Sequence, residues 1–435
     1  MCVANMRGKG LISHRKGSFL QYAFSITVIA AVYLFQLVNP CIVSAAAEWT
    51  FTPSMTVAGV FDDNYFRSQT NKTSVWTTQY APGIALQGLT DRSRLDLNYT
   101  LGYFENFGQR GKTDMSSQDY LGHDLSLFAA TKVYERFMTG IEETFIQTRE
   151  PGSTDNVSNI TVRDEYWRNR VSPFIKYDIG EKGELKAAYR MEQLTWQDAP
   201  NRPNSNENRG ALTGTYNLNS TNHIDLDEQI WRREYTYSKA SGYVSDYDSY
   251  QTSLIYRRDL SSWLTARASV GYQYRTFDNN ALPAINCPTF LIGVAGATDK
   301  TKLGLSFEHN LVDFTLSNSY FDAYRLNAFA QRLFFEDRFR AYLGGYYQLS
   351  DYYDSTRADN TYNIYAGLGY SFYNKIFEIS IEYQFTNDTS NMSTFNYSDN
   401  MIFLRLTAKY DIPRKNQEAT PTESPGTGFR GGNLR

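Results

Sequence analysis

The side chains best placed to do chemistry are charged residues at even spacings. Arg168 and Arg170 stand two apart in "YWRNRVSPFIKY", and Glu378 and Glu382 stand four apart, alternating with apolar residues, in "FEISIEYQF". An even spacing puts side chains on one face of a β-strand. Rows of guanidinium groups on such a face steer anions. Covalent, metal or acid–base catalysis would need other residues. Beyond the first 47 residues the histidines are His123, His223 and His309, and no HExxH, GxSxG or CxxC occurs. His123 shares a strand face with Leu121 and Leu125, so a lipase-like pairing with a serine on that face is the one catalytic arrangement open to it. Asp62-Asp63-Asn64 has the composition of a weak calcium loop and equally that of a solvated turn. The expectation is therefore no enzyme, no cofactor and no metal site.

The elements that must position these charges are strands. In "LTARASVGYQYR" (264–275), Leu264, Ala266, Ala268, Val270, Tyr272 and Tyr274 alternate with Thr265, Arg267, Ser269, Gly271, Gln273 and Arg275. Such alternation predicts a strand with one apolar and one wet face. The pattern recurs in "RLDLNYTLGY" and "FEISIEYQF", and eighteen strands can be placed between residues 49 and 411. Tight connections ("LTD", "KVYER", "IGEKG", "NSTN", "LSS", "TDK", "FED", "YNK") alternate with long polar ones such as "RSQTNKTS" and "NDTSNMSTFNYSD". Short then long, without interruption, predicts an all-β, transmembrane, antiparallel up-and-down barrel with short periplasmic turns and long extracellular loops. Lipid cannot satisfy a bare strand edge, so the sheet must close. An even strand number brings both ends of the barrel to the short-turn side.

Composition agrees. Aromatic residues make up 15%, with 34 Tyr and 27 Phe against 6 Trp, as girdles at two lipid–water interfaces require. A soluble propeller or sandwich also alternates, but its strands are shorter and a propeller repeats a fixed signature. The first 47 residues differ from the rest. Arg7, Lys9, Arg15 and Lys16 precede the apolar run Ala23–Val38, and Ala45-Ala46-Ala47 follow, in the order of a secretory signal peptide. Its removal leaves 39 Lys+Arg against 46 Asp+Glu, a net charge of −7 that disfavours nucleic acid as a partner. Cys287 is then the only cysteine, so no internal disulfide is expected. Residues 412–435, rich in Pro, Gly and charge, read as a disordered periplasmic tail.

Eighteen strands enclose an aqueous lumen. With the apolar face outward, the pore-lining set is Arg94, Arg168, Arg170, Lys176, Arg190, Glu192, Arg233, Arg257, Arg267, Arg275, Arg340, Tyr342, Glu378, Glu382 and Arg405. Adding Asp96, Lys186, Asp225 and Asp227 gives twelve basic residues against six acidic ones, a bias toward anions. Two stretches resist placement. Glu228 falls on the face of Ile224, Leu226 and Ile230, which calls for a bulge or a position near an interface. Residues 311–321 are ambiguous, and the two strands there can meet further along.

Three segments carry a resemblance: "FTPSMTVAGVFDDNYF", "LGGYYQLSDYYDSTRADNTYNIYAGLGYSF" and "IEYQFTNDTSNMSTFNYSDNMIFLRLTAKY". They are similar to the β-barrel porin family of outer-membrane proteins associated with exopolysaccharide or capsule export. The matching motifs are Asp62-Asp63-Asn64, Arg357-Ala358-Asp359, and Glu382-Tyr383 with Ser390, Tyr397 and Asn400. The resemblance implies a Gram-negative outer-membrane barrel surrounded by lipid. It also implies work beside a periplasmic polysaccharide export protein, as a conduit for polysaccharide. The alternatives are a general diffusion porin for small solutes and a closed structural or adhesive barrel.

Overall fold

The computed structural model describes residues 48–108, 115–150, 163–197, 202–236, 245–280, 282–314, 319–353 and 355–410. The signal segment 1–47 and the tail 412–435 expected from the sequence lie outside the described residues. Eighteen strands follow in chain order. They are β1 (Glu48–Asp62), β2 (Val75–Leu89), β3 (Ser93–Gly108), β4 (Tyr120–Tyr134), β5 (Phe137–Thr148), β6 (Tyr166–Asp178), β7 (Gly183–Trp196), β8 (Asn204–Asn219) and β9 (Asn222–Thr236). They continue with β10 (Tyr247–Ser261), β11 (Leu264–Phe277), β12 (Ile285–Ala297), β13 (Thr301–Phe314), β14 (Ser319–Phe334), β15 (Phe339–Tyr352), β16 (Ala358–Phe372), β17 (Phe377–Ser390) and β18 (Tyr397–Lys409). Each strand pairs antiparallel with its chain neighbours, and β1 pairs with β18 from Ser54↔Lys409 to Asp62↔Met401. The sheet is a closed up-and-down barrel, so no edge is left for lipid to satisfy.

Alternation fixes the two faces. Leu226, Ile230, Leu254, Val270, Ile292, Leu305, Leu343 and Ile364 form an exposed apolar belt on the outer surface. Trp49, Phe51, Tyr216 and Trp263 flank it toward the short-turn end, and Trp76, Tyr103, Phe107 and Tyr274 toward the long-loop end. Val270 stands seventh of fourteen residues in β11, opposite Leu254 and Phe290, and is 62% exposed. Val270→Arg should destabilise the barrel by about 2–4 kcal/mol, because it sets a charge at mid-bilayer. Urea unfolding from phospholipid vesicles measures this, and an unchanged midpoint would mean the outer face has been misassigned.

The short turns follow local rules. Gly180 and Gly183, in the "IGEKG" turn, take φ of 81° and 144°, and a Cβ at Gly183 would collide with the Thr215 carbonyl. The "FED" and "YNK" turns instead hold three consecutive left-handed residues each, Phe335–Asp337 and Tyr373–Lys375, with Phe335 and Tyr373 exposed at their tips. On the inner wall, Tyr342 lies flat on Gly367 and Tyr365 on Gly344, so any Cβ there would meet the ring.

Two departures from a regular barrel bear on function. Glu228 does stand on the outer face, but β9 pairs without a bulge from Asn222 to Arg233 on its β10 side, and Glu228 lies mid-strand. Its carboxylate accepts a 2.6 Å hydrogen bond from Thr252 Oγ1 on β10, which partly compensates the missing water. The second departure is larger. β12 and β13 pair only from Phe290↔His309 to Ala297↔Lys302. Above that point β13 pairs with β14 alone, up to Phe314↔Ser319, so the two strands do meet beyond the ambiguous stretch. The freed hairpin folds inward over the inner faces of β9 to β12. Tyr320 packs its ring 5.8 Å from Tyr247 and 5.0 Å from Phe277, and Leu311 joins a buried cluster with Trp231, Ile285 and Cys287.

Candidate functional site: a constricted, charge-lined lumen

The infolded hairpin is held by ions. Asp313, near the top of β13, accepts a 2.5 Å hydrogen bond from Arg275 Nη1 on β11. It also accepts from the Tyr247 hydroxyl on β10 and lies 3.7 Å from Arg233 Nε on β9, four strands away. Such a span is possible only if the hairpin lies inside the bore. Arg233 is 1% exposed and donates from Nη2 to Glu207 (2.7 Å) and Glu192 (3.1 Å). Arg170 Nε donates to Glu192, and Arg190 and Arg209 donate to Glu207. Arg275 Nε donates to Ser249 Oγ, and its guanidinium lies 4.0 Å above the Tyr247 ring. The network thus joins five guanidinium groups to three carboxylates, a wall of net positive charge centred on β9.

The opposite wall has the other sign. In an eighteen-membered ring β18 lies diametrically across from β9. Asp62 on β1, Asp359 on β16, Asp388 on β17 and Asp399 on β18 are all buried on inward-facing positions at the same long-loop end. Arg163, in the β5–β6 connection, reaches across the mouth to this wall. It donates to Asp62, to both Glu150 oxygens at 2.9 Å and to the Tyr65 carbonyl at 2.7 Å, and stacks 4.0 Å from the Tyr65 ring. Burial opposes the Arg163 charge, but Glu150 and Asp62 more than offset this and hold it above the usual guanidinium range. Burial also pushes the Tyr65 phenol up to about 12. Arg357 pairs with Asp359, and Arg67 lies 3.6 Å from Asp399. Five carboxylates there face three guanidinium groups.

Toward the short-turn end the wall is balanced pair by pair. Arg94 pairs with Asp96, Lys176 with Glu184, and Arg257 with Asp225, which also accepts from Thr215. Arg340 pairs with Glu378, and Glu382 receives the Tyr342 hydroxyl at 2.5 Å and Arg405 Nη1 at 3.4 Å. Arg267 stands inward between Arg257 and Gly293, with its buried Nε lacking a hydrogen-bond partner. Arg168 shares the inward face of β6 with Arg170. Among the described residues, register adds Glu48, Asp62, Asp124, Glu142, Asp178, Glu184, Glu207, Asp259, Glu308, Asp359, Asp388 and Asp399 to the inward acids, against Lys132, Arg209, Lys302, Arg325 and Lys409 among the bases. The twelve-to-six excess read from the sequence therefore disappears, with seventeen basic and eighteen acidic residues on inward positions. Many acids near the strand ends lie on the wall, and the asymmetry is transverse rather than net.

The family model described as "Putative beta-barrel porin 2" matches residues 45–410. The chain belongs to this family. As a member of it, the chain is a porin-like channel of the Gram-negative outer membrane. No curated protein matches it. Among solved structures it is similar to OccAB4 of Acinetobacter baumannii (10% identity, 83% of this chain, 98% of that chain, TM-score 0.47). It is also similar to opdK of Pseudomonas aeruginosa (9%, 83% and 98%, TM-score 0.45) and to OprD of the same organism (9%, 86% and 100%, TM-score 0.42).

The motifs that carried the resemblance meet at one place in this porin: the seam between its last strands and its first. Asp63 accepts from the Asn400 backbone N–H (2.8 Å) and from Asn400 Nδ2 (2.7 Å), and the Tyr383 hydroxyl donates to Asn400 Oδ1. Asn64 Nδ2 donates to the carbonyls of Ser68 and Ser398. Arg357 stacks 3.5 Å from the Phe395 ring. Asp62-Asp63-Asn64 is thus a clasp that closes the barrel. His123 Nδ1 lies 2.9 Å from the Tyr99 hydroxyl on the outer face. Sequence reasoning missed Glu207, Arg209 and Asp313. Glu207 and Arg209 stand two apart in "NSNENRG", a segment polar enough to pass for loop.

Proposed function

We propose that this porin is a diffusion channel for small polar solutes, lined by the inward arginines and glutamates that the hairpin leaves accessible, while Arg233 and Arg275, 1% and 2% exposed, anchor the hairpin instead. The observation that carries this reading is the β13–β14 hairpin, pinned inside the bore by Asp313 between Arg233 and Arg275. A hairpin occupying one side of the lumen, with Arg163 crossing the mouth, leaves room for small molecules between two walls of opposite charge. A transverse field of this kind orients dipolar and charged solutes while keeping net selectivity low. A polysaccharide conduit, the function implied by the resemblance, would need a bore free along its length, and the infolded hairpin weighs against it. Liposomes carrying the purified barrel should swell in small sugars at rates that fall steeply with size, and a deletion strain should secrete polymer normally. Entry of long oligosaccharides, with polymer retained in the deletion strain, would reverse the order of the two readings.

A further inference from the structure

The split between β12 and β13 leaves an unusual set of donors together. Cys287 faces inward from β12 and is fully buried, while His309 is the last residue of β13 still paired with β12 and is 2% exposed. Because β13 turns inward beyond this point, its formerly outer face looks onto the inner face of β12. That places Cys287 Sγ, an imidazole nitrogen of His309 and a carboxylate oxygen of Asp322 on β14 within 4.8 Å of one another. Cys287 Sγ lies 3.4 Å from Asp322 Oδ1, and His309 Nε2 lies 3.7 Å from the same oxygen. His309 Nε2 is buried without a hydrogen-bond partner, in a place where an unsatisfied polar atom is costly. The imidazole is held between rings, stacked 4.1 Å from Tyr324 and with the tilted Phe290 ring 5.6 Å away. The second Asp322 oxygen accepts a 2.8 Å hydrogen bond from the Tyr353 hydroxyl, an outer-shell contact of the kind that orients a ligating carboxylate.

We propose that Cys287, His309 and Asp322 bind a borderline-soft divalent ion, Zn²⁺ or one of its class, and that the ion pins the infolded hairpin to the wall. One thiolate, one imidazole and one carboxylate suit such an ion, and a tetrahedral site with Zn–S near 2.3 Å and Zn–N or Zn–O near 2.0 Å spaces its ligand atoms roughly 3.3–3.6 Å apart. The 3.4 Å Cys287–Asp322 distance falls within this range and the 3.7 Å His309–Asp322 distance just beyond it, so a small inward shift of the imidazole completes the site. Binding replaces the S–H bond by a metal–sulfur bond. The thiol proton, donated to Asp322 in the metal-free arrangement, leaves to solvent, and the fourth position stays open to water. The three residues lie 22 and 13 positions apart, at spacings no sequence motif marks.

The test uses the full barrel refolded in detergent, with heat-modifiable migration on gels as the check of folding. Added Co²⁺ should give a thiolate-to-cobalt charge-transfer band that saturates at one equivalent and is displaced by Zn²⁺. Cys287→Ser should fold and lose the band, and His309→Gln should fold and bind Co²⁺ at least about tenfold more weakly. A folded wild-type barrel without the band, or a Cys287→Ser barrel that keeps it, would overturn the site. Neither readout depends on the channel being open. In planar bilayers Zn²⁺ should quieten the wild-type current, a chelator should restore its fluctuations, and Cys287→Ser should respond to neither. Stoichiometric binding with an unaltered current would overturn the pinning role.

Discussion

Arg233→Met should lower the stability of the barrel by about 3–5 kcal/mol, more than any exposed ion-pair substitution would. The substitution keeps most of the volume of the side chain and removes the guanidinium that Glu192, Glu207 and Asp313 share. Glu192 retains Arg170, and Glu207 retains Arg190 and Arg209, but Asp313 is left with Arg275 and Tyr247. The cost comes from carboxylates left buried and undercompensated, not from the loss of attraction alone. A double substitution, Arg233→Met with Asp313→Leu, should fall further still, because Arg275, 2% exposed, then loses its carboxylate partner as well. The urea midpoints of the two variants, measured with the barrel in vesicles, separate this account from simple misfolding. Equal midpoints for wild type and Arg233→Met would show that Arg233 does not hold the hairpin.

The second large effect is on selectivity. Arg168→Glu combined with Arg170→Glu changes the charge of the β6 wall by four units. It should move the reversal potential under a salt gradient clearly toward cations. The uncharged pair Arg168→Gln with Arg170→Gln should produce about half that displacement, since it changes the charge by half as much. Wild type, with inward charges in balance, should be only weakly selective. A reversal potential unmoved by the glutamate pair would remove both positions from the conducting path.

How far the sequence reaches can be judged from particular stretches. The barrel is legible because hydrocarbon and water impose opposite demands on alternate residues, and "LTARASVGYQYR" shows it plainly. Its counterpart in the connections, short against long, gives the two ends and the strand number. The infolded hairpin breaks that logic. In 311–323, Leu311 and Tyr320 are apolar on one face, and Val312, Phe321 and Ala323 on the other. Asp313 and Asp322 interrupt the first face. A segment apolar on both faces has no periodic signature, which is why its strands could not be bounded from sequence. The same two-sidedness is the signal that could have found it, because a strand wetted on neither face must be covered on both. Charge balance was hidden for a different reason. Acids near strand ends, such as Asp62, Asp359 and Asp399, sit beside polar loops in sequence but beside arginines on the wall in space. Contacts between strands four or more apart follow from closure of the barrel, and no local pattern records them.

On the proposed function, the β13–β14 hairpin sets the width of an open, water-filled bore. Single-channel conductance of the wild-type barrel, compared with a barrel in which residues 311–322 are replaced by a two-residue turn, tests this most directly. Wild type should give discrete, small openings and the shortened barrel a markedly larger conductance. Equal conductances, or a wild-type barrel that inserts but never conducts, would contradict it.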